Sequence, residues 1–154
     1  LVMLLGCLPI PTKNSALPVL REAIEMRCRE GGCVAVFPEA HIWPYYTKIR
    51  PFGPASFTYP ARLGAPVVAA VVTYRRRRGL FRLCRRPGMT VHLRDPIYGD
   101  AEASLRERKD FLRDQVYTFM CKTAAEEEKM ECIRYVPAGE EDGPVEGDSL
   151  SKLQ

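Results

Sequence analysis

Two short apolar runs, CVAVF at 33–37 and APVVAAVVTY at 65–74, each follow closely on a stretch of helical spacing. Runs of this kind, β-branched, brief and bounded by Pro or Gly, are expected of strands covered on both faces. Ahead of the first, Leu17, Leu20, Ile24 and Cys28 recur at helical intervals, with Ser15 placed to cap and Gly31 and Gly32 placed to stop the helix. Ahead of the second, residues 54–62 suit a short helix ended by Gly64. The order helix, strand, helix, strand predicts an α/β layer: a mixed, mostly parallel sheet flanked by helices, with the first helix lying on that sheet.

Further along, MTVHLRDPI at 89–97 alternates, so Val91 and Leu93 are expected inward and His92 and Arg94 outward, in a strand near a sheet edge. From Ala103 to about Ile133 a helical stripe is formed by Leu105, Leu112, Val116, Phe119 and Met120. Residues 137–154 combine Pro, Gly and acids with little to bury, which predicts disorder. Residues 1–136 are thus expected to form one domain and 137–154 an acidic tail.

The 154 residues, 46% of them apolar and 27% charged, suffice for a single core. Six cysteines without a C-x-x-C pair argue for reduced thiols rather than zinc or a disulfide frame. No basic segment precedes the apolar opening, so no signal peptide is legible. The run from Leu63 to Tyr74 falls short of the roughly 20 residues that cross a bilayer. The net charge of +4 conceals an asymmetry, because residues 75–86 hold seven arginines and no acid, while residues 137–154 hold five acids and one lysine. Arg75, Arg76, Arg77, Arg78, Arg82, Arg85 and Arg86, interleaved with Leu80, Phe81 and Leu83, suit an anionic membrane surface. A solvated loop and a nucleic-acid contact are the competing readings of that block. The sequence carries no groove-reading helix or stacking motif that would favour nucleic acid.

Chemistry concentrates in VAVFPEAHIWPYYTKIRPFG, residues 34–53. Ligands of α/β sheets bind beyond the carboxyl ends of strands, which is where Pro38 and Glu39 fall. Glu39 either serves such a site or simply caps a turn or pairs with Arg50. Trp43, Tyr45 and Tyr46 beside Lys48 and Arg50 suit the lip of a site.

VAVFPEA, followed by IRPFGPASFTYPARLGAPVVAAVVTYR, resembles the PlsC-type acyltransferases, the 1-acylglycerol-3-phosphate acyltransferase family, over roughly Leu5 to Arg75. The resemblance implies a glycerolphosphate acyltransferase-like fold, incomplete here, and transfer of an acyl chain from acyl-CoA or acyl carrier protein to a lysophosphatidate-like acceptor. It implies no resident cofactor and a location on the inner, cytoplasmic face of the cell membrane. Pro38, Glu39, Ala40 and His41 then belong to the acceptor site, Lys48 and Arg50 contact phosphate, and Trp43, Tyr45 and Tyr46 contact the acyl chain or the interface. The family's Gly-Thr after F-P-E is Ala40-His41 here, and Lys13 is the one cation near its upstream arginine motif. The family's catalytic H-x-x-x-x-D is absent: Tyr46 lies five residues after His41, and Ile97 five after His92. The expectation is a fragment whose base and its orienting Asp precede Leu1, with His41 as a rival base.

Overall fold

The computed structural model describes residues 8, 15, 17–83, 86–127 and 130–136, without the side chains of Phe81 and Arg82. Helix α1, Leu17–Arg29, runs where its spacing predicts and ends at Gly31, whose φ of 77° is the left-handed value glycine adopts freely. It packs against α2, Thr58–Leu63, rather than on a sheet, and buries Ile24 alone among its residues. A 3₁₀ turn, Pro54–Phe57, feeds α2, which Gly64 ends at a φ of 62°.

The sheet corrects the expectation. Among the described residues it has two strands, β1 Ala70–Arg75 and β2 Gly88–Leu93, and they are antiparallel. Ala70 faces Leu93 and Arg75 faces Gly88, and a bridge between Val67 and Ile97 continues the pairing, so the two strands and this bridge form one long hairpin from Val67 to Ile97. A parallel pair needs a crossover of a dozen or more residues, usually helical. Among its described residues the arginine-rich connection here holds only a 3₁₀ turn, Gly79–Leu83, and the chain returns antiparallel. The mostly parallel sheet predicted from element order is absent from the described residues.

CVAVF forms no strand: Phe37 is 77% exposed, Val36 is exposed, and no partner among the described residues pairs with either. Its apolar run marks strand character but names no neighbour. At β1, the Tyr74 carbonyl already accepts the N–H of Met130 at 3.0 Å. The pleat of β2 is also opposite to expectation, with Val91 and Leu93 exposed and His92 and Arg94 half-buried.

Helix α3, Leu105–Glu126, follows a capping box: the Ser104 hydroxyl accepts from the N–H of Glu107, and the Glu107 carboxylate accepts from the N–H of Ser104. Its predicted stripe is the core. Leu112, Val116 and Met120 are buried with Phe57, Ala61, Ala69, Val71 and Ile97, while Leu105 and Phe119 pack at the margin. Arg94 spans the layers, donating to the Gln115 carbonyl and to Gln115 Oε1, each at 2.9 Å. Arg108 donates to the Ala61 carbonyl at 2.8 Å and fixes α2 on α3. The expected tail, residues 137–154, lies outside the described residues, as does Cys7 with Cys84. Cys28, Cys33, Cys121 and Cys132 are free thiols.

Candidate functional site

After Phe37 the chain turns sharply: the Phe37 carbonyl accepts the N–H of Ala40, and the Glu39 carbonyl accepts the N–H of His41 at 2.8 Å. Ala40 takes a φ of 64° to make this turn, a left-handed conformation that costs an alanine about 1–2 kcal/mol. Glycine adopts it without that cost.

Arg50 closes the loop that follows. Its backbone N–H donates to Glu39 Oε2 at 3.0 Å, and its Nε lies 3.6 Å from the same oxygen. Its Nη2 donates to the carbonyls of Glu39, at 2.8 Å, and His41. The guanidinium also lies over the Trp43 ring, Cζ being 4.8 Å from the centroid. Of the two readings of Glu39, pairing with Arg50 is the one observed. Both groups are satisfied by each other and by backbone, so Arg50 holds the loop's shape rather than standing free for a phosphate. His41 and Lys48 are exposed on the loop, and Lys48 makes no ion pair among the described residues. Pro38 is half-buried at the turn.

The aromatics knit the loop to the chain's far end. Trp43 stacks on Tyr135 and meets Tyr46 edge-on, both at 5.0 Å, while the Tyr135 hydroxyl donates to the Pro44 carbonyl at 2.8 Å. Tyr45, at a φ of 56°, meets Tyr74 of β1 edge-on at 5.4 Å. Nothing in the local sequence pairs Tyr135 with Trp43, 92 positions apart by numbering.

A shallow crevice opens between this loop, β1 and the end of α3, lined by Tyr46, Thr47, Ile49, Val72, Thr73, Tyr74, Ala124 and Glu127. None of the predicted acceptor-site residues lines it. Two of its lining residues also meet His92: Thr73 Oγ1 lies 2.8 Å from His92 Nε2, and Glu127 Oε1 lies 3.8 Å from His92 Nδ1. His92, expected as an outward scaffold residue, therefore joins the two strands to the end of α3. Burial, with Tyr45 next in effect, pushes the Tyr74 phenol above its usual range, and burial likewise pushes the Cys132 thiol up. The described residues hold no cluster of His, Cys, Asp or Glu that would bind a metal.

The predicted basic surface is at the hairpin's tip. Arg75, Arg76, Arg78 and Arg86 are exposed, and Arg77 donates to the Arg86 carbonyl at 3.0 Å. Lys13, Arg85 and the side chain of Arg82 lie outside what is described. No helix among the described residues is long and apolar enough to cross a membrane. Compared with protein-family models, curated proteins and solved structures, the chain matches none.

Proposed function

We propose that the chain is part of an acyltransferase of phospholipid synthesis, working at an anionic membrane surface on the cytoplasmic side. It moves an acyl chain from acyl-CoA or acyl carrier protein to a lysophosphatidate-like acceptor. The observation that carries this reading is the turn at Phe37–Ala40. The backbone there demands a left-handed residue at the position where the resembled family has glycine, and a clamped Glu39 precedes it. Lys48 and His41 project from the loop so formed as groups able to meet a phosphate monoester. Neither histidine has the family's orienting Asp, so the base is expected from residues before Leu1. Without a base, transfer typically falls 10²–10⁴-fold.

Trp43, the only tryptophan, reports on this loop. Titration with a monomeric short-chain lysophosphatidate should change its emission saturably, and lysophosphatidylcholine should do so several-fold more weakly. Lys48→Ala should weaken the response to the former. Silence of Trp43 toward both lipids overturns the acceptor-site reading.

A second reading is favoured by the mutual satisfaction of Glu39 and Arg50: a non-catalytic module that binds anionic lipid surfaces through its arginines. The coding frame upstream of Leu1 separates the two. An H-x-x-x-x-D there supports the transferase, and an intact gene without one supports the binding module.

A further inference from the structure

Among the described residues the β1–β2 ribbon has one face on α3 and one face bare except at Tyr74, which Tyr45 partly covers. Ala69, Val71 and Thr73 are buried on the first. The other carries Val68, Ala70, Val72, Met89, Val91 and Leu93, all exposed, Val91 at 61% and Leu93 at 68%. The register sets Val72 opposite Val91 and Ala70 opposite Leu93, so these side chains form a continuous apolar strip with no charge among them. Antiparallel sheets that face water ordinarily carry polar residues on the wet side. Here the polar and half-polar residues, Thr73, Thr90 and His92, are on the covered side instead.

The strip leads into the tip. Leu80 and Leu83 are 93% and 92% exposed, and on a 3₁₀ turn residues three apart lie on the same side. The exposed arginines 75, 76, 78 and 86 flank them in the chain, in a segment with no acid between 75 and 86.

We propose that the bare ribbon face and the Leu80–Leu83 tip form the surface by which the protein lies in the headgroup region of an anionic bilayer. This rests on the reading that the chain works at an anionic lipid surface, and adds which face touches it and how deeply. Two features favour lipid over a second copy of the chain. Six-residue strands about 3.3 Å per residue long and about 4.8 Å apart give the strip a flat footprint of only some 200 Å², narrow for a stable protein interface, which buries about 800 Å² of accessible surface per partner. The arginines complement anionic headgroups, each multiplying partition roughly five-fold near the surface, whereas another copy would present arginines to arginines. In this orientation α3 stays in water with Arg106 and Lys122 well exposed. Tyr45 and Tyr74, at the ribbon's margin, then sit at the headgroup level that tyrosine favours, bringing the Glu39 loop to the lipid.

Depth-dependent quenching tests this with the full chain carrying Trp43→Phe. Three reporters are added singly: Leu80→Trp at the tip, Val91→Trp on the bare face, and Thr118→Trp on the exposed side of α3. The vesicles are equimolar phosphatidylglycerol and phosphatidylcholine with brominated acyl chains, and binding is read independently by vesicle sedimentation. The expected result is binding by all three, strong quenching at 80 and 91, and none at 118. Replacing both tip leucines by aspartate should lower partition at least ten-fold while leaving the circular dichroism unchanged. Binding without quenching at 80 and 91, or with equal quenching at 118, overturns the orientation and leaves the anionic-surface reading standing. Failure to sediment with these vesicles overturns both. A concentration-dependent dimer in sedimentation velocity, abolished by Val91→Lys, assigns the face to a second copy and overturns the proposal.

Discussion

Ala40 is the residue whose backbone and side chain disagree. An L-residue at a φ of 64° carries a penalty of about 1–2 kcal/mol, partly offset by the larger entropy that glycine loses on folding, about 0.5–1 kcal/mol. Ala40→Gly should therefore stabilise the protein by up to about 1 kcal/mol, seen as a higher urea midpoint with an unchanged slope. Loss of stability would mean that the turn is not left-handed. Arg50 makes the opposite case, because its fork serves two carbonyls and a carboxylate from a largely covered position. Arg50→Ala should cost about 2 kcal/mol, the scale of a charged hydrogen bond with its partner left unpaired. It should also red-shift Trp43 emission as the ring loses its guanidinium cover. Lys, a single point charge, should restore little. An unshifted Trp43 in Arg50→Ala would show that the aromatic contacts with Tyr46 and Tyr135 order the loop unaided. The Glu39–Arg50 pair was open in the sequence as one of two readings. Its geometry was not, since a separation of eleven positions does not say which carbonyls a guanidinium will meet.

Among the elements, α3 is the one whose apolar spacing and burial agree best, although the helix stops at Glu126, short of the predicted end near Ile133, and its Ser104 cap was not read from the sequence. Ser104→Ala should lower stability by about 1 kcal/mol. The Ser104 hydroxyl first, and its backbone N–H second, hold the Glu107 carboxyl below the usual carboxylate range. A depressed pKa contributes stability that is present above the unfolded-state value and lost as pH falls through the folded one. Acid unfolding of the wild type should therefore show a component between those two values that Glu107→Gln lacks. Superimposable acid profiles would show that the box does not form in solution. The ribbon was only half legible. MTVHL alternates, so a strand with two distinct faces was readable, but alternation does not say which face meets the core. The apolar face was the natural choice and the structure takes the other, because Arg94 reaches Gln115 and His92 reaches Thr73 from the side that faces α3. CVAVF failed for a related reason: pairing depends on a neighbour whose identity its own residues do not encode.

Among the described residues, cohesion falls away from α3 toward α1. Leu112 is fully covered, with strand, 3₁₀ turn and α2 all packed around the same cluster. Helix α1 contributes Ile24 alone to what is buried, and the segment after it, 33–37, has no sheet partner among the described residues and covers only Val34 in part. An element joined through one buried side chain opens at far smaller free energy than the global transition, while core amides exchange only on global unfolding. Amide exchange should therefore be fast through 17–37 and slowest in the Leu112–Met120 stretch of α3, with a gap of at least a hundred-fold in protection. Leu112→Ala, which leaves a cavity where nothing can collapse from solvent, should cost about 3 kcal/mol, a large share of a small domain's 5–15 kcal/mol. That loss should erase the gap by bringing global unfolding down toward local opening, whereas Ile24→Ala should accelerate exchange in α1 and leave α3 untouched. If Ile24→Ala instead loosens both helices equally, α1 and α3 belong to one cooperative unit, and the hairpin and its helix do not stand as the molecule's stable part.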